Sequence, residues 1–440
     1  MSHAQVTNYG DDSFATKFAR AVSGIAWQTV FFVLIVFGTY GTFEGGLEAT
    51  NQSYLQPAFL VTIALITGLL AREFFRGGSF SSWVLAEHEG ALLFLFFICS
   101  LIGVLGAPQK LLGLLTTLYA TAVTLLFVTS RARNKLAFFK TFIFFVRLVY
   151  ATSVIAFLAG AYTYWIGSFT VGPLLIEYNE LFWRVNSWFM TSTGFGAFLG
   201  LGVISASYYL MTEQSTIGKS AHGVLVVCLL VGMGISGARS SISAMVVAWV
   251  FLAIVSFNLR WRYVLGAIGV MALLVLIVMA VGEDAQEILI VRRFIGETDT
   301  MTLGGRTDMW EDAMDIFLTL PLFKLIFGSG FGTFSDALGW DIGAHSGYLR
   351  IAVEHGIAGI SLFVAFISRG LWLLVKEVRY SRGTKLEVKI LLLYYVMFSS
   401  AELVLPQLLG ISMEYILFLT VVALAASRRR LYTSQSQLLA

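Results

Sequence analysis

The chain repeats continuous apolar stretches of about 20 residues, and each is long enough as a helix to cross a hydrocarbon layer about 30 Å thick. Charged residues make up 12% of the sequence, against about 25% in soluble domains, so a soluble fold is excluded. Barrel strands need only about 10 residues of alternating polarity, so continuous apolar stretches also exclude a membrane barrel. The sequence therefore predicts an all-α, polytopic helical membrane protein, with residues 1–440 forming a single membrane domain.

Windows of high hydropathy predict about twelve transmembrane helices. They lie near residues 24–43, 55–71, 90–107, 111–129, 141–161, 188–211, 221–236, 241–258, 263–282, 346–367, 389–405 and 409–427. If the amino terminus is cytoplasmic, twenty of the 29 Lys and Arg residues fall on the cytoplasmic side, seven on the outer side and the rest within spans. Because cytoplasmic loops are enriched in Lys and Arg, both termini are predicted to be cytoplasmic.

The formal net charge of +3 is small, and the basic residues lie at helix ends instead of in one patch. The composition therefore predicts the lipid bilayer as a partner and excludes nucleic acid. Cys99 and Cys228 both fall within apolar stretches, and we interpret them as packing residues, not as a disulfide or a metal pair. No small-residue cleavage site follows the first apolar stretch, which is therefore expected to remain as a helix.

Two segments on the predicted outer side are long, residues 162–187 and residues 283–345 between spans 9 and 10. Loops as long as the second are usually functional in compact proteins. Thr307 or Asp308 can cap a helix within it, and Pro321 can end that helix. Apolar residues recur between these points at helical spacing, at Trp310, Met314, Phe317 and Leu320. We expect either an amphipathic helix on the outer membrane interface or an extramembrane helix packed on the bundle.

Two arginines on the predicted outer side favour an anion site. Arg239 lies in the tight link from Ser236 to Ser241 between two spans, and Arg306 directly precedes the predicted helix of the long loop. The amino terminus of a helix adds free N–H groups and the positive end of its dipole to such a cation, which favours phosphate. The alternative for each arginine is a side chain that snorkels to lipid headgroups or pairs with Asp or Glu.

His345 and His355 lie near the start of predicted span 10. A histidine where loop meets membrane can take or give a proton near neutral pH, so His345 is a candidate catalytic residue, with a structural role as the alternative. His355 lies ten residues further, about 15 Å along a helix, and is expected to pack within the bundle. Arg350 and Glu354 are spaced to meet on one helix face.

The glycine-rich stretch from Gly328 to Gly332 has no preceding strand and no following Lys-Ser or Lys-Thr, so it is not a nucleotide-binding loop. We expect a flexible turn that returns the long loop towards the membrane. Glu402 and Glu414 lie near the outer ends of the last two predicted spans. Either carboxylate could partner an arginine or orient His345, and a structural hydrogen bond is the alternative.

Several motifs, in order, resemble the conserved C-terminal region of the bacterial O-antigen ligase and O-antigen or exopolysaccharide polymerase family. They are Gly304-Gly305-Arg306-Thr307-Asp308-Met309-Trp310, Gly328-Ser329-Gly330-Phe331-Gly332-Thr333-Phe334, Ala344-His345-Ser346-Gly347-Tyr348-Leu349 and Glu354-His355-Gly356-Ile357-Ala358-Gly359. The upstream stretch Ser236-Gly237-Ala238-Arg239-Ser240 is similar to the family's Ser-Arg element, although Ala238 separates the glycine from the arginine. The resemblance covers about residues 236–360, and Ser346 stands where Asn is common in the family.

The resemblance implies a metal-independent glycosyltransferase of the bacterial inner membrane that uses no cofactor and acts on the periplasmic face. Its donor would be a glycan on undecaprenyl diphosphate, and its acceptor a lipid-linked glycan or the lipid A core. By the family pattern, Arg239 and Arg306 would bind the diphosphate. His345 would act on the acceptor hydroxyl as general base or positioner, and Tyr348 and Glu402 are secondary candidates for the site.

The acceptor separates two activities within this family. A polymerase joins one lipid-linked glycan to another, whereas a ligase attaches the finished glycan to the lipid A core. The predicted periplasmic loop, residues 283–345, contains eleven acidic and four basic residues, and a phosphate-rich core would be repelled by this field. The sequence thus favours polymerisation, with ligation as the alternative. A lipid-linked sugar transporter or flippase is less favoured, because the sequence shows neither related halves nor broken midplane helices clearly.

Overall fold

The computed structural model describes most of the middle of the chain. The described residues are 88–107, 135–171, 174–179, 184–187, 192–237, 239–256, 306–330, 346–380 and 386–401, with Phe334 and a few single positions between 110 and 121. Their helices are α1 (His88–Val104), α2 (Lys135–Ile166), α3 (Ser192–Thr212), α4 (Thr216–Ile235), α5 (Arg239–Ser256), α6 (Arg306–Thr319), α7 (Leu322–Phe327), α8 (Gly347–Tyr380) and α9 (Leu386–Ala401). Their strands are β1 (Phe169–Val171), β2 (Leu174–Asn179) and β3 (Arg184–Ser187).

Four of the described helices, α2, α3, α4 and α8, are long and apolar enough to cross a membrane. Helices α1 and α5 carry shorter apolar stretches, and all six coincide with predicted spans, as does α9. A polytopic helical membrane protein is therefore confirmed. The predicted spans at 24–43, 55–71, 263–282 and 409–427, and most of the one at 111–129, lie outside the described residues. The total of twelve spans and the position of both termini thus stay predictions.

Helices that form consecutive spans run in opposite directions, as the order of the predicted spans requires. Phe142 near the start of α2 contacts Tyr208 near the end of α3, with ring centroids 5.5 Å apart. At the other end of this pair, Gly160 of α2 lies against Phe195 of α3. Contacts between helix ends, compared in this way for the other pairs, show two sets of helices that run in opposite directions. One set is α1, α2, α4 and α9, and the other is α3, α5 and α8. We call the end of the bundle at which α8 begins and α9 finishes the sheet end.

A small antiparallel sheet, with strand order β1-β2-β3, connects α2 to α3 at this end. Val185 of β3 is fully buried, and it packs beside Gly160 of α2 and Phe195 of α3. The sequence analysis placed residues 162–187 on the outer side of the membrane and did not predict this sheet. Because strands satisfy each other's backbone N–H and C=O groups, a short connection can be ordered here without a further helix. The sheet is an addition to an otherwise helical fold.

Helix α3 lies at the centre of the bundle. Of its most apolar window 83% is buried, against 22% for α4, so α4 leaves one side open to lipid and α3 does not. Close packing depends on small residues, since a Cβ on Gly200 would overlap the side chain of Met397 in α9. Ser205 of α3 and Tyr394 of α9 share a buried hydrogen bond, as polar groups in such an interior must.

Helix α6 packs on the first turns of α8 through one apolar face. Ala313 and Phe317 are buried there, in a cluster with Ala352 and Val353 of α8. The helix predicted in the long loop is therefore confirmed, and the alternative of a helix packed on the bundle describes this face. The predicted cap was wrong: the helix begins at Arg306, so Thr307 and Asp308 lie within its first turn. Pro321 separates α6 from α7, as predicted.

Two further faces of α6 point away from the bundle. One is apolar, since Met314 is 47% and Leu318 60% exposed, although the sequence pattern grouped Met314 with the buried residues. The other carries the exposed acidic residues Asp312 and Asp315, and the exposed Glu311, seven residues before Leu318, lies at the boundary between the two faces. An apolar face bordered by charge is the pattern of a helix lying on a membrane surface.

The level of α6 and α7 relative to the bilayer follows from α8. Trp372 is half exposed, with Arg369 4.8 Å and Lys376 5.2 Å from its ring centroid, an arrangement typical of a membrane interface. Gly356, which lies against α7, precedes Trp372 by sixteen residues, about 24 Å along a helix. If Trp372 marks one interface, a hydrocarbon layer about 30 Å thick would place α7 near the other one.

Spin labels on α6 test this placement. Labels at Met314 and Leu318 should be more accessible to dissolved oxygen, which concentrates in lipid, than to a water-soluble nickel complex. Labels at Asp312 and Asp315, on the same helix, are the matched controls and should show the reverse order. The measurement is power-saturation spectroscopy in nanodiscs, on a background in which both native cysteines are replaced by alanine. Greater nickel access at all four positions would contradict contact with lipid.

Candidate active site

Contacts at the sheet end bring together the start of α8, the end of α9 and the start of α5. The Tyr348 hydroxyl of α8 donates to the Ser399 carbonyl of α9 at 3.1 Å. One residue further along α9, the Ser400 hydroxyl donates to the Val396 carbonyl of its own helix at 2.7 Å, and its oxygen lies 3.5 Å from the Ala244 carbonyl of α5. Helix α6 joins this group through its packing on α8. Helices α5, α6 and α8, which begin at or just after the predicted site residues Arg239, Arg306 and His345, therefore all lie at this end.

Arg239 is the first residue of α5. The turn before it is held by Ser236, whose N–H donates to the Gly232 carbonyl at 2.9 Å and whose hydroxyl donates to the Met233 carbonyl at 2.6 Å. This confirms the tight link predicted between two spans. Because Ser236 is fully buried, the turn fixes the backbone of Arg239 at the sheet end.

Arg306 is the first residue of α6, so both arginines occupy the first position of a helix. The N–H groups of a first turn have no partner within the helix, and they lie at the positive end of its dipole. For Arg239 and Arg306 the structure describes the backbone. Its arrangement places two helix amino termini, each carrying a cation, on elements that meet at one end of the bundle.

His345 lies outside the described residues, but the residue after it is described. Ser346 caps α8: its hydroxyl oxygen accepts the Leu349 N–H at 3.4 Å, and its carbonyl accepts the Arg350 N–H at 3.0 Å. Ser and Asn rank together among the best helix-capping residues. In the family that the sequence resembles, Asn is common after the histidine, and Ser346 can supply the same cap. His345 directly precedes this cap.

Helix α8 is broken at Gly356, which has φ 67° and ψ −174°. Only glycine adopts such a φ without strain, and a Cβ here would overlap the Ile326 carbonyl of α7. Gly328, just after α7, has φ 85°, and its Cβ would overlap the Glu354 carbonyl. Two glycines at facing positions therefore let the end of α7 lie directly against the break in α8.

Backbone hydrogen bonds join the glycine-rich turn to the break. The Ser329 N–H donates to the Val353 carbonyl at 2.9 Å, and the Gly330 N–H donates to the Glu354 carbonyl at 3.0 Å. An uninterrupted helix would bond these carbonyls to N–H groups four residues further along. Near a bilayer such groups need protein partners, because lipid offers none. A turn at Gly328 is therefore confirmed. The turn was predicted to be flexible, but it is hydrogen-bonded to α8 and closely packed against it.

The Glu354 carboxylate is buried at the same place, with 1% of the residue exposed. Its Oε1 accepts the Arg350 Nε–H at 2.9 Å and the Phe334 backbone N–H at 3.3 Å. The first contact confirms the predicted ion pair. A buried carboxylate is stable only when it is paired and hydrogen-bonded, so both contacts are needed to keep Glu354 in place.

His355 lies inside the bundle, as predicted, and joins α8 to α1. Its Nδ1 is 2.9 Å from the hydroxyl oxygen of Ser100, and the Ser100 hydroxyl in turn donates to the Phe96 carbonyl at 2.8 Å. Since a hydroxyl has one proton to donate, the Ser100 oxygen accepts the proton carried by Nδ1. The Phe96 ring lies over the imidazole, with centroids 4.8 Å apart. These contacts stabilise the helix packing beneath the break.

Tyr348 and Glu402 were the secondary candidates for the site, and the structure describes only the first of them. The Tyr348 hydroxyl is bound to α9, and its ring packs edge-on against Phe363 at 6.1 Å, so the contacts that we observe are structural. Glu402 follows the last residue of α9 and lies outside the described residues. A role in the reaction stays a prediction for both.

The helix ends described above lie in one stretch of sequence that has known relatives. Residues 224–364 match the model of the O-antigen ligase family. The resemblance predicted over about residues 236–360 is therefore confirmed. This O-antigen ligase region covers about a third of the chain, from within α4 to within α8. No curated protein matches the chain.

The O-antigen ligase region contains both helix-initial arginines, the residue before the α8 cap, and the break at Gly356. It supports a function of the O-antigen ligase or polymerase type in general. Sequence reasoning did not find the break or the contacts of Glu354 with the glycine-rich turn. A glycine inside an otherwise apolar helix is a weak signal for such a break, because many helices tolerate one.

Proposed function

We propose that this protein is a glycosyltransferase of the bacterial inner membrane, with its active site facing the periplasm. It transfers a glycan from undecaprenyl diphosphate to a sugar hydroxyl, and polymerisation of O-antigen or exopolysaccharide repeats is the favoured outcome. One observation carries the proposal. Within the O-antigen ligase region, Arg239 and Arg306 each begin a helix, His345 precedes the cap of a third helix, and this third helix contacts the other two.

In the proposed reaction, Arg239 and Arg306 bind the diphosphate of the donor. A guanidinium binds phosphate oxygens in forked geometry, and the N–H groups of each helix start add further donors. Negative charge grows on the diphosphate as its bond to the sugar breaks. Cations and dipoles fixed in advance stabilise this charge more strongly in the transition state than in the ground state. Undecaprenyl diphosphate is the leaving group.

His345 acts on the acceptor. Its imidazole takes the proton of the acceptor hydroxyl as that oxygen bonds to the anomeric carbon and the bond from this carbon to the diphosphate oxygen breaks. The scheme uses no metal and no cofactor. In the sequence His345 directly precedes Ser346, whose hydroxyl oxygen caps α8.

The charge distribution of α8 supports a periplasmic site. Arg369, Lys376 and Arg379 lie in its second half, at the end opposite the sheet end. Because Lys and Arg are enriched on the cytoplasmic side, this arrangement favours a sheet end that faces the periplasm. Residues 283–345 then form a periplasmic loop, and both termini are cytoplasmic.

The choice between two acceptors depends on electrostatics near the site. The exposed acidic residues of α6, Glu311, Asp312 and Asp315, belong to a loop with net negative charge. Such a field disfavours the phosphate-rich lipid A core and favours another lipid-linked glycan as acceptor. Ligation to the core is the second candidate, and the description of the matched family as O-antigen ligase favours it.

Deletion of the gene separates these activities. A polymerase deletion is expected to leave a single repeat attached to the core, whereas a ligase deletion leaves the full-length glycan on the lipid carrier. The measurement is gel electrophoresis of surface polysaccharide and of the extracted lipid-linked pool, with the wild-type gene returned on a plasmid as control. An unchanged pattern in both fractions would contradict the proposed function.

A further inference from the structure

We propose that the second half of α8 binds one anionic phospholipid, whose phosphate lies among Arg369, Lys376 and Arg379 beside the ring of Trp372. The inference goes beyond the proposed function. It concerns the end of the bundle opposite the sheet end, and none of the residues that carry it takes part in the proposed reaction. Its test therefore does not depend on glycan transfer.

One side of this half of α8 faces away from the bundle. Leu374 is 2% and Val378 5% exposed, and both belong to the main apolar core. Trp372, Lys376 and Arg379 are exposed and follow each other at intervals of four and three residues, so they form one row along the helix. In a bundle that spans a membrane, a row exposed in this way is accessible to lipid.

Two cations converge on the Trp372 ring. The Arg369 Cζ lies 4.8 Å from the ring centroid and the Lys376 Nζ 5.2 Å from it, so the two charged groups are at most about 10 Å apart. Each is attracted to the negative face of the ring, but like charges this close repel each other. An anion between them would be stabilised by both charges and would offset their repulsion.

The direction of Lys376 is not that of a snorkelling side chain. In α8 the apolar middle of the helix comes before Trp372, so a lysine that snorkels to water would extend its amine towards the carboxyl end of the helix. The Lys376 amine instead lies over a ring four residues earlier, and Arg369 reaches the same ring from three residues before it. The two side chains thus concentrate positive charge at one level, as a bound headgroup requires.

The charge balance favours an anionic headgroup over a zwitterionic one. Residues 369–379 contain three cations and one acidic residue, Glu377, which lies next to Lys376 in the chain. A zwitterionic headgroup brings its own cation, which the cluster would repel, whereas phosphatidylglycerol brings its phosphate alone. Clusters of Lys and Arg beside a membrane helix bind anionic lipids for this reason.

The order of residues along the exposed side matches the order of groups in a phospholipid. Val364, which is 43% exposed, belongs to the apolar part of α8, the exposed Ser368 follows one turn later, and Trp372 comes next. From Val364 to Lys376 is twelve residues, about 18 Å along a helix. Acyl chains would lie against Val364, the glycerol ester groups beside Ser368 and Trp372, and the phosphate at the cations.

The experiment titrates delipidated protein in detergent with phosphatidylglycerol, or with phosphatidylcholine that has the same acyl chains, and counts bound lipid by native mass spectrometry. Each cation near a headgroup contributes about fivefold to the affinity for an anionic lipid, so the wild-type protein should bind phosphatidylglycerol at least about 25-fold more tightly. Arg369→Gln/Lys376→Gln should lower that affinity by about 25-fold. The matched control, Lys140→Gln/Lys219→Gln, removes two exposed cations at the same end of the bundle and should bind as the wild-type protein does.

Variants of Trp372 distinguish a bound headgroup from cations that only snorkel. Trp372→Leu retains all three cations but removes the ring that holds two of them, and its affinity for phosphatidylglycerol should fall about fivefold. Trp372→Phe keeps an aromatic face and should lie between Trp372→Leu and the wild-type protein. Glycerol 3-phosphate, which carries the phosphate without acyl chains, should not displace the lipid at equal concentration.

The comparison of the two lipids uses the wild-type protein, so it tests the site even if a variant fails to fold. Equal affinity of the wild-type protein for both lipids would overturn the inference. So would a loss in the lysine control as large as that in Arg369→Gln/Lys376→Gln, an unchanged affinity in Trp372→Leu, or displacement of the lipid by glycerol 3-phosphate.

Discussion

Alanine at His345 is expected to abolish glycan transfer while the protein still inserts in the membrane at its normal level. A general base contributes about 10²- to 10⁴-fold to such a reaction, so its loss should lower transfer by about that factor. The deletion strain carrying this variant should show the surface polysaccharide of the empty strain. Turnover of the extracted lipid-linked glycan by the purified variant should fall by about the same factor.

Alanine at Arg239 or Arg306 should have an effect of similar size. A charge-assisted hydrogen bond contributes about 1.5 to 3 kcal/mol, so loss of a forked pair corresponds to about 10²-fold or more in binding or turnover. Lysine at either position keeps the charge but loses the fork, and it should restore part of the activity. A lysine variant with no more activity than the alanine variant would show that the geometry of the fork is essential.

His222→Ala is the matched control for these variants. His222 lies in α4 at the end opposite the sheet end, where its Nδ1 is 2.9 Å from the Tyr150 hydroxyl and its ring stacks on Tyr209. Its loss should leave the polysaccharide ladder normal. A normal ladder from His345→Ala, Arg239→Ala and Arg306→Ala would remove the assignment of all three residues to the reaction.

Gly328→Ala is expected to destabilise the protein by about 2 to 5 kcal/mol. A positive φ costs a residue with a Cβ about 1 to 2 kcal/mol, and forcing atoms into a packed site costs about 1 to 3 kcal/mol more. Gly328 meets both conditions, since its φ is 85° and its Cβ would overlap the Glu354 carbonyl. The measurement is the thermal unfolding midpoint of the purified protein in detergent.

Two other glycines separate these two costs. Gly167 has φ 82° but no atom within 4 Å of a Cβ, so Gly167→Ala should show the conformational cost alone. Gly223 lies in α4 with no atom within 4 Å and no positive φ, so Gly223→Ala should be stabilising by about 0.5 to 1 kcal/mol. The expected order of midpoints is Gly223→Ala, wild type, Gly167→Ala and Gly328→Ala, from highest to lowest. Equal midpoints for Gly328→Ala and Gly223→Ala would contradict the packing of the turn against α8.

The helices of the bundle could be predicted because apolar content and length determine which segments cross a membrane. The opposite directions of α2 and α3 follow from the same prediction, since successive spans must alternate. Helix α6 was also predictable, from helical spacing and Pro321, although it begins at Arg306, before the residues predicted to cap it. Its buried face was not: Met314 points away from α8, because which apolar residues become buried depends on the partner surface.

The break in α8 and the sheet before α3 could not be predicted from local sequence. Gly356 lies in an apolar stretch that continues as a helix on both sides, and only the approach of Ile326 and Gly328 makes a side chain impossible there. The ion pair of Arg350 with Glu354 follows from a four-residue spacing, whereas the contact of Glu354 with Phe334 joins residues twenty apart. Contacts between distant segments depend on the packed fold.

The candidate site combines both kinds of information. The chemistry expected of Arg239, Arg306 and His345 came from residue type, predicted side of the membrane and family resemblance. The structure adds that each arginine begins a helix, that Ser346 caps α8 directly after His345, and that the helices concerned meet at one end. The sequence already placed both arginines next to predicted helix starts, whereas the cap at Ser346 and the contacts between these helices could not be derived from spacing along the chain.

The most direct test of the account is reconstitution of purified protein with the lipid-linked glycan extracted from the deletion strain, with no metal and no nucleotide added. The account predicts a longer glycan and one released undecaprenyl diphosphate for each sugar bond formed, and neither product from His345→Ala. Equal product from the wild-type and His345→Ala proteins, or a glycan that only changes sides of a vesicle membrane without a new bond, would contradict it.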